Sequence, residues 1–151
     1  MSATGETDGF VKTWLVDTGP VVAYLDAGDP AHADVADCWD SFRGQLVTTS
    51  AVITEAMHFV SASPSGVRHL ADLIAASGME VYDLSRPPEL HEAVSLMDKY
   101  DDTPMDFADA TLVLVAEALQ VREILTLDRR GFSTYRTRKR HAFRLVLDLA
   151  Q

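Results

Sequence analysis

The sequence lacks the features of secreted, membrane and zinc proteins. Its 151 residues include one cysteine, Cys38, which cannot form an internal disulfide. No apolar run approaches the roughly 20 residues that a membrane-spanning helix requires, and the first dozen residues have neither the basic nor the apolar region of a secretion signal. The five histidines are scattered without paired ligand spacing, which argues against zinc. These absences predict a cytoplasmic protein with no membrane association.

Surplus positive charge is also missing. The formal net charge is -10, which argues against a general nucleic-acid coat protein because phosphate binding normally depends on surplus Lys and Arg. The basic residues are nevertheless unevenly placed, since eight of the 13 Lys and Arg residues lie in the last thirty residues. The segment RTRKR among them forms either a phosphate-binding patch or, as charge runs more often do, a solvated loop.

The length corresponds to one domain, which we predict to span residues 13–151 after a flexible polar tail of residues 1–12. Within this domain, short β-prone segments alternate with helical segments. The predicted strands are TWLVDT, LVTT, EVYDL, EILTLD and FRLVLDL. The predicted helices include SAVITEAMHFV, with Ser50 as a possible N-cap, and the very apolar PMDFADATLVLVAEALQ. This alternation predicts an α/β fold with a mainly parallel sheet covered by helices on both faces.

Acidic residues occupy positions where such a fold binds ligands. Asp17 ends WLVD and Asp128 ends ILTLD, so both should lie beyond the carboxyl ends of strands, where ligands collect in open parallel sheets. Asp106 and Asp109 share one face at the start of the apolar helix, and Glu55 lies among small and apolar neighbours. Each acid also has a structural interpretation: a helix N-cap or turn residue for Asp17 and Asp128, a first-turn residue stabilised by the helix dipole for Asp106 and Asp109, or a surface residue for Glu55.

The combination of acids favours a hard divalent cation. Carboxylates without His or Cys are the ligands that Mg²⁺ and Mn²⁺ prefer. Without metal, repulsion should raise the pKa of at least one acid and destabilise the domain. Two other aspartate-based sites fit less well. A receiver-like phosphoacceptor needs a second acid beside Asp17 and a late lysine in the sheet, and a haloacid-dehalogenase-like phosphatase needs D-x-D where this sequence has DTG.

The segments LVDTGPVVAYLD, SAVITEAMH, DFADATLVLVAEAL and ILTLDRRGF resemble, in order and spacing, the four acidic motifs of the PIN-domain family. Within that family they are most similar to the VapC-type toxins of bacterial toxin–antitoxin pairs, and the resemblance covers about residues 13–149. It implies a three-layer α/β/α fold with four to five strands and a Mg²⁺- or Mn²⁺-dependent endoribonuclease that an antitoxin protein holds inactive. It also implies a homodimer. The alternative is a non-toxin or catalytically silent PIN domain that binds RNA or a protein partner.

The resemblance also implies roles for individual acids. Asp17, Glu55, Asp109 and Asp128 match the four catalytic acids of the family. Asp17, Asp109 and Asp128 are expected to hold the metal directly or through water, and Glu55 is expected to be either a ligand or the group that orients water. Asp106 is an additional acid of the closer relatives and a further candidate ligand.

Residues beside these acids complete the expected site. Thr18 and Thr126 match small hydroxyl positions next to the first and last motifs. Gly19 stands where many members have Asn, which removes one side-chain hydrogen bond at the rim. The basic residues after the last motif are expected to hold RNA phosphates, and the candidates are Arg129, Arg130 and Arg136.

Overall fold

The computed structural model describes residues 11–149. The predicted tail of residues 1–12 therefore lies almost wholly outside the described residues, of which Val11 and Lys12 are exposed and belong to no helix or strand. The strands are β1 (Thr13–Val16), β2 (Gln45–Thr49), β3 (Glu80–Tyr82), β4 (Glu123–Leu125) and β5 (Arg144–Leu145). The helices are α1 (Thr18–Leu25), α2 (His32–Ser41), α3 (Ser50–Val60), α4 (Gly66–Ser77), α5 (Pro87–Lys99), α6 (Phe107–Leu119), α7 (Arg129–Thr134) and α8 (Val146–Leu149).

The strands form one five-stranded sheet in the order β3-β2-β1-β4-β5. All four neighbouring pairs are parallel, and in β1 Leu15 pairs with Val47 of β2 on one side and with Ile124 of β4 on the other. The chain thus builds the sheet outwards from β1 in one direction, then returns to its other side with β4. In parallel sheets, ligands bind at such a reversal, beyond the carboxyl ends of the two strands concerned. Here those strands are β1 and β4.

Helices cover both faces of the sheet, which confirms the predicted three-layer α/β/α fold. Because side chains alternate along a strand, Leu15 points to one face while Trp14 and Val16 point to the other. The Leu15 face packs against α5, α6 and α7, and the Trp14 face packs against α1, α2, α4 and α8. Every residue of the segment 110–116 in α6 is buried. No helix within residues 11–149 is long and apolar enough to cross a membrane.

Two predicted details are wrong. Ser50 is the first residue of α3 and not its N-cap, because the Thr49 hydroxyl caps the helix by accepting a hydrogen bond from Val52 N at 3.3 Å. The predicted strand FRLVLDL pairs only at Arg144 and Leu145, and the residues from 146 to 149 form α8. β4 runs one residue further, to Leu125, but the chain turns into α8 at Val146 before a third pair forms.

Candidate active site

Three of the five candidate acids begin helices. Asp17 caps α1 by accepting a hydrogen bond from Thr18 N at 2.8 Å. Asp128 caps the short helix α7 through Gly131 N at 2.9 Å. Asp106 caps α6 rather than lying in its first turn. The N-cap interpretation is therefore correct for Asp17 and Asp128, whereas Asp106 was interpreted as a first-turn residue. Capping is compatible with a site because helix N-termini offer partial positive charge to an acidic cluster.

Asp106 and Asp109 form a reciprocal capping box at the start of α6. The Asp106 carboxylate accepts from Asp109 N at 2.8 Å, and the Asp109 carboxylate accepts from Asp106 N at 3.1 Å. Each acid thereby satisfies a backbone donor that the helix cannot use internally. Local backbone bonding thus explains how the chain places two carboxylates side by side at the head of a buried helix.

Thr126 connects the first and last acidic motifs. Its hydroxyl donates to Asp17 Oδ2 at 2.7 Å and accepts from Asp128 N at 3.0 Å. Asp17 is buried and uses its other oxygen for the α1 cap. The parallel pairing of Val16 with Leu125 brings the two strand ends together and so makes this bridge possible. The sequence prediction placed Thr126 beside the site, and the structure puts it there.

One cleft of about 480 Å³ at the carboxyl ends of β1 and β4 brings all five candidate acids together. Their exposure is graded, since Asp17 is buried, Glu55 and Asp109 are half-buried, and Asp106 and Asp128 are exposed. The complete lining is Asp17, Thr18, Gly19, Val22, Asp29, Glu55, Phe59, Asp106, Asp109, Leu127 and Asp128. We refer to the five candidate carboxylates as the acidic wall of the cleft. It extends from the exposed Asp106 and Asp128 to the buried Asp17 at the sheet edge.

Four lining residues were not among the predicted site residues. Asp29 comes from the loop between α1 and α2, where its carboxylate accepts from Ala31 N at 2.8 Å. Val22, Phe59 and Leu127 form the apolar part of the lining. Asp29 belongs to none of the four motifs, and Phe59 fits the apolar pattern of a helix that packs into a core. Only the spacing of Phe59, four residues after Glu55 on α3, could have suggested that the two share a face.

Burial, assisted by repulsion, raises the pKa of three acids in the cleft. Burial raises the pKa of Asp17 to about 6, although hydrogen bonds from Thr126 and from Thr18 N partly oppose this. Burial also raises the pKa of Asp109 to about 8, assisted by the charges of Asp17 and Asp106. The pKa of Glu55 is likewise raised, first by burial and then by Asp106. At least one acid thus has a raised pKa, as expected, but burial rather than repulsion is the main cause.

No basic side chain compensates this charge within residues 11–149, where every ion pair uses other acids. Arg129 pairs with Asp148 at 2.8 Å. The Arg136 guanidinium donates to three backbone carbonyls at the end of α7. Arg130 is exposed in the first turn of α7, close in sequence to Asp128. None of these three arginines lines the cleft, so their contact with RNA remains a prediction.

The segment RTRKR lies away from the acidic cleft. Arg138 pairs with Glu117 in the last turn of α6 and with Glu92 of α5 at 3.0 Å. Since Asp106 and Asp109 lie at the start of α6 and Glu117 lies in its last turn, nearly the whole length of that helix separates the segment from these two acids. Arg138, Lys139 and Arg140 are exposed. The solvated-loop interpretation describes the segment better than a phosphate-binding patch in the cleft.

The donor set fits a hard cation in its chemistry. Among residues 11–149, no three His, Cys, Asp or Glu side chains are drawn together closely enough, as they stand, to hold a metal ion. The cleft does, however, present the five candidate carboxylates and that of Asp29, and each carboxylate oxygen has two lone pairs, so that a capping oxygen can also contact a cation. The Thr18 hydroxyl is buried without a well-formed hydrogen bond. It lies near enough to Glu55 to oppose part of the effect of burial on the pKa of that acid.

Comparisons with known proteins agree with this geometry. No protein-family model matches the chain. The chain is 36% identical over 124 residues to Ribonuclease VapC26 of Mycobacterium tuberculosis strain H37Rv, an alignment that covers 81% of this chain and 91% of that protein. Its fold is similar to the crystal structure of Mycobacterium tuberculosis VapC20, a sarcin–ricin loop cleaving toxin, with a TM-score of 0.70 and 20% identity over 76% of this chain and 89% of the other. The second similarity concerns the fold alone.

Proposed function

The chain belongs to the VapC family of PIN-domain ribonucleases, and on that premise we propose that it is a metal-dependent endoribonuclease acting as the toxin of a toxin–antitoxin pair. The observation that carries the proposal is the convergence of the five candidate carboxylates in one cleft, where burial and repulsion raise the pKa of Asp17, Glu55 and Asp109. A cluster of acids with raised pKa values in a cleft is typical of a functional site. A divalent cation would compensate the negative charge of the cluster.

Mg²⁺ or Mn²⁺ would be held by Asp17, Asp109 and Asp128, with Asp106 as an additional ligand. Once bound, such an ion lowers the pKa of a coordinated water and neutralises charge on a phosphodiester. The protein side chains around the ion would position its ligands and hold or accept protons. Thr126 fixes the rotamer of Asp17 through the 2.7 Å hydrogen bond. Glu55, with its raised pKa, either joins the ligands or orients water and accepts a proton from it.

The partners in this proposal are an RNA substrate and a cognate antitoxin protein. Ribonuclease VapC26, which is 36% identical, supports the assignment of RNA as substrate by its name. The antitoxin would occupy or cover the acidic cleft, since blocking that cleft is the most direct way to stop cleavage. We further propose that the protein acts in the cytoplasm and as a homodimer.

The decisive experiment is cleavage of a mixed-sequence RNA pool by the purified chain in Mg²⁺ or Mn²⁺. We expect cleavage that disappears with a chelator and in the variants Asp17→Asn and Asp109→Asn, with a smaller loss in Asp106→Asn. The matched control is Asp98→Asn, because Asp98 is exposed on α5 and does not line the cleft. Cleavage that survives both Asp17→Asn and Asp109→Asn would refute the site.

The same preparation tests the alternative of a PIN domain that binds without cutting. Retention of RNA without any product, in either metal, would support a binding-only role. Toxicity is tested separately by induction in a bacterial host. Growth arrest by the wild type and not by Asp109→Asn supports the toxin assignment, whereas cleavage without growth arrest indicates a non-toxin ribonuclease.

A further inference from the structure

Three apolar side chains share the cleft with the carboxylates. Phe59 and Leu127 are 57% and 41% exposed, and Val22 beside them is half-buried. We refer to Val22, Phe59 and Leu127 as the apolar ledge. Single exposed apolar residues are ordinary, but a group of them beside a functional cleft marks a contact surface.

Each residue of the apolar ledge lies close in sequence to a residue that lines the acidic part of the cleft. Phe59 lies four residues after Glu55 on α3, and Val22 lies four residues after Thr18 on α1. Residues with that spacing share a helix face, with Cβ atoms about 5–6 Å apart. Leu127 directly precedes Asp128. The ledge therefore borders the carboxylates at about the distance of one helix turn.

Gly19 allows Leu127 to lie where it does. A Cβ atom at position 19 would stand 3.3 Å from Leu127 Cδ1 and 3.5 Å from Leu127 Cβ. The Leu127 side chain thus packs over the backbone of residue 19, and a Cβ atom there would shift it by a few tenths of an ångström. The departure from Asn at this position therefore removes a hydrogen bond and at the same time gives the rim an apolar surface.

We propose, building on the ribonuclease function above, that the apolar ledge receives a nucleobase of the RNA beside the scissile phosphate, with Phe59 as its stacking platform. The acidic wall and the ledge divide one cleft into a part that suits a metal-bound phosphate and a part that suits a flat apolar ring. Proteins that bind single-stranded RNA commonly stack unpaired bases on exposed aromatic side chains. A cleft of about 480 Å³ also lies within the size range of small-ligand sites. The ledge would thus position the scissile bond and favour particular bases.

The test compares an oligoribonucleotide centred on the bond that the wild type cuts with versions that carry an abasic residue on either side of that bond. We expect Phe59→Ala to lower kcat/KM on the intact oligonucleotide by roughly 5- to 150-fold. On one of the two abasic versions the same variant should match the wild type, because the base it would stack is gone. Phe59→Trp should retain cleavage of the intact substrate. Val94→Ala is the control, since Val94 is 52% exposed on α5 and lies outside the cleft.

Other outcomes would overturn the proposal. Equal losses for Phe59→Ala on intact and abasic RNA would indicate a structural effect, and unchanged cleavage would show that Phe59 has no role in recognition. If Phe59→Ala altered only the inhibition by the antitoxin, the ledge would be a protein contact. Cleavage by the wild type separates these failures from failure of the ribonuclease function itself. With no RNA cleavage and no growth arrest, both proposals would be wrong.

Discussion

The Thr126 hydroxyl donates to Asp17 Oδ2 at 2.7 Å and so joins the ends of two neighbouring strands, β1 and β4. The same hydroxyl accepts from Asp128 N at 3.0 Å. The Thr126 and Asp17 side chains are buried at the reversal in strand order, where the five candidate acids lie. This hydroxyl therefore links the first and the last acidic motif in addition to the backbone pairing of β1 with β4.

Thr126→Val should impair both stability and cleavage. Valine keeps the shape of threonine but leaves a buried carboxylate without its hydrogen bond, which costs about 1–3 kcal/mol. We expect the free energy of unfolding to fall by that amount in a urea titration and kcat/KM to fall by roughly tenfold. Thr126→Ser restores the hydroxyl and should recover most of both quantities. Wild-type values for the valine variant would show that the bridge has no such role.

Asp109→Asn should stabilise the metal-free protein while abolishing cleavage. The substitution removes a charge that burial and the neighbouring Asp17 and Asp106 oppose, yet its amide oxygen can still accept from Asp106 N. At pH 8.5 in a chelator, we expect a higher melting temperature than for the wild type. Asp98→Asn, outside the cleft, should leave the melting temperature unchanged. A melting temperature below the wild-type value would mean that the Asp109 charge is compensated in the folded state.

The stability of the metal-free protein should fall as pH rises. The pKa of Asp17 is raised from 3.8 to about 6 and that of Asp109 to about 8, so the folded state binds protons more tightly than the unfolded state. This contribution is fully present below pH 3.8 and is lost as pH rises through about 6 and then about 8. For Asp17 alone it amounts to roughly 3 kcal/mol. Urea titrations between pH 5 and pH 9 in a chelator measure the trend, and Asp109→Asn should flatten its upper part.

Mg²⁺ or Mn²⁺ should offset the loss of stability that the metal-free protein shows at high pH. A cation that binds only the folded state at 100 times its dissociation constant adds about 2.7 kcal/mol to the free energy of unfolding. We expect the gain to be larger at pH 8 than at pH 5.5, because protonated carboxyls bind cations poorly. Differential scanning calorimetry measures the shift, and Asp17→Asn should remove most of it. A shift of the same size in Asp17→Asn would place the cation elsewhere.

Much of this arrangement follows from local sequence. Acids after the apolar runs WLV and ILTL predict the sheet edge at which Asp17 and Asp128 stand, and the apolar length of α6 predicts its burial. The motif resemblance supplied Thr126 as a neighbour. Local patterns failed where tertiary pairing decides the outcome. β5 ends after two residues because α8 begins at Val146, and Asp29 reaches the cleft only because the loop after α1 lies beside it.

The sequence patterns failed to identify Phe59 as a cleft residue for a different reason. An aromatic residue in SAVITEAMHFV fits the apolar pattern of a core-facing helix, and helix periodicity does not distinguish a face that packs on the sheet from one that opens into a cleft. That distinction depends on what lies opposite α3. In the folded chain the opposite side contains α1 and Leu127, which leave space at this point.

The use of acids as helix caps has a consequence for genetics and engineering. Alanine at position 17, 106 or 128 would remove a helix start and a cleft carboxylate in one step, and a lost cap alone costs about 1 kcal/mol. A screen that counts inactive alanine mutants would therefore mix unfolded proteins with properly folded but inert ones. Asparagine caps helices about as well as aspartate does. Asp17→Asn is therefore expected to remove cleavage while the protein stays folded, which would provide an inactive bait for isolating the proposed antitoxin.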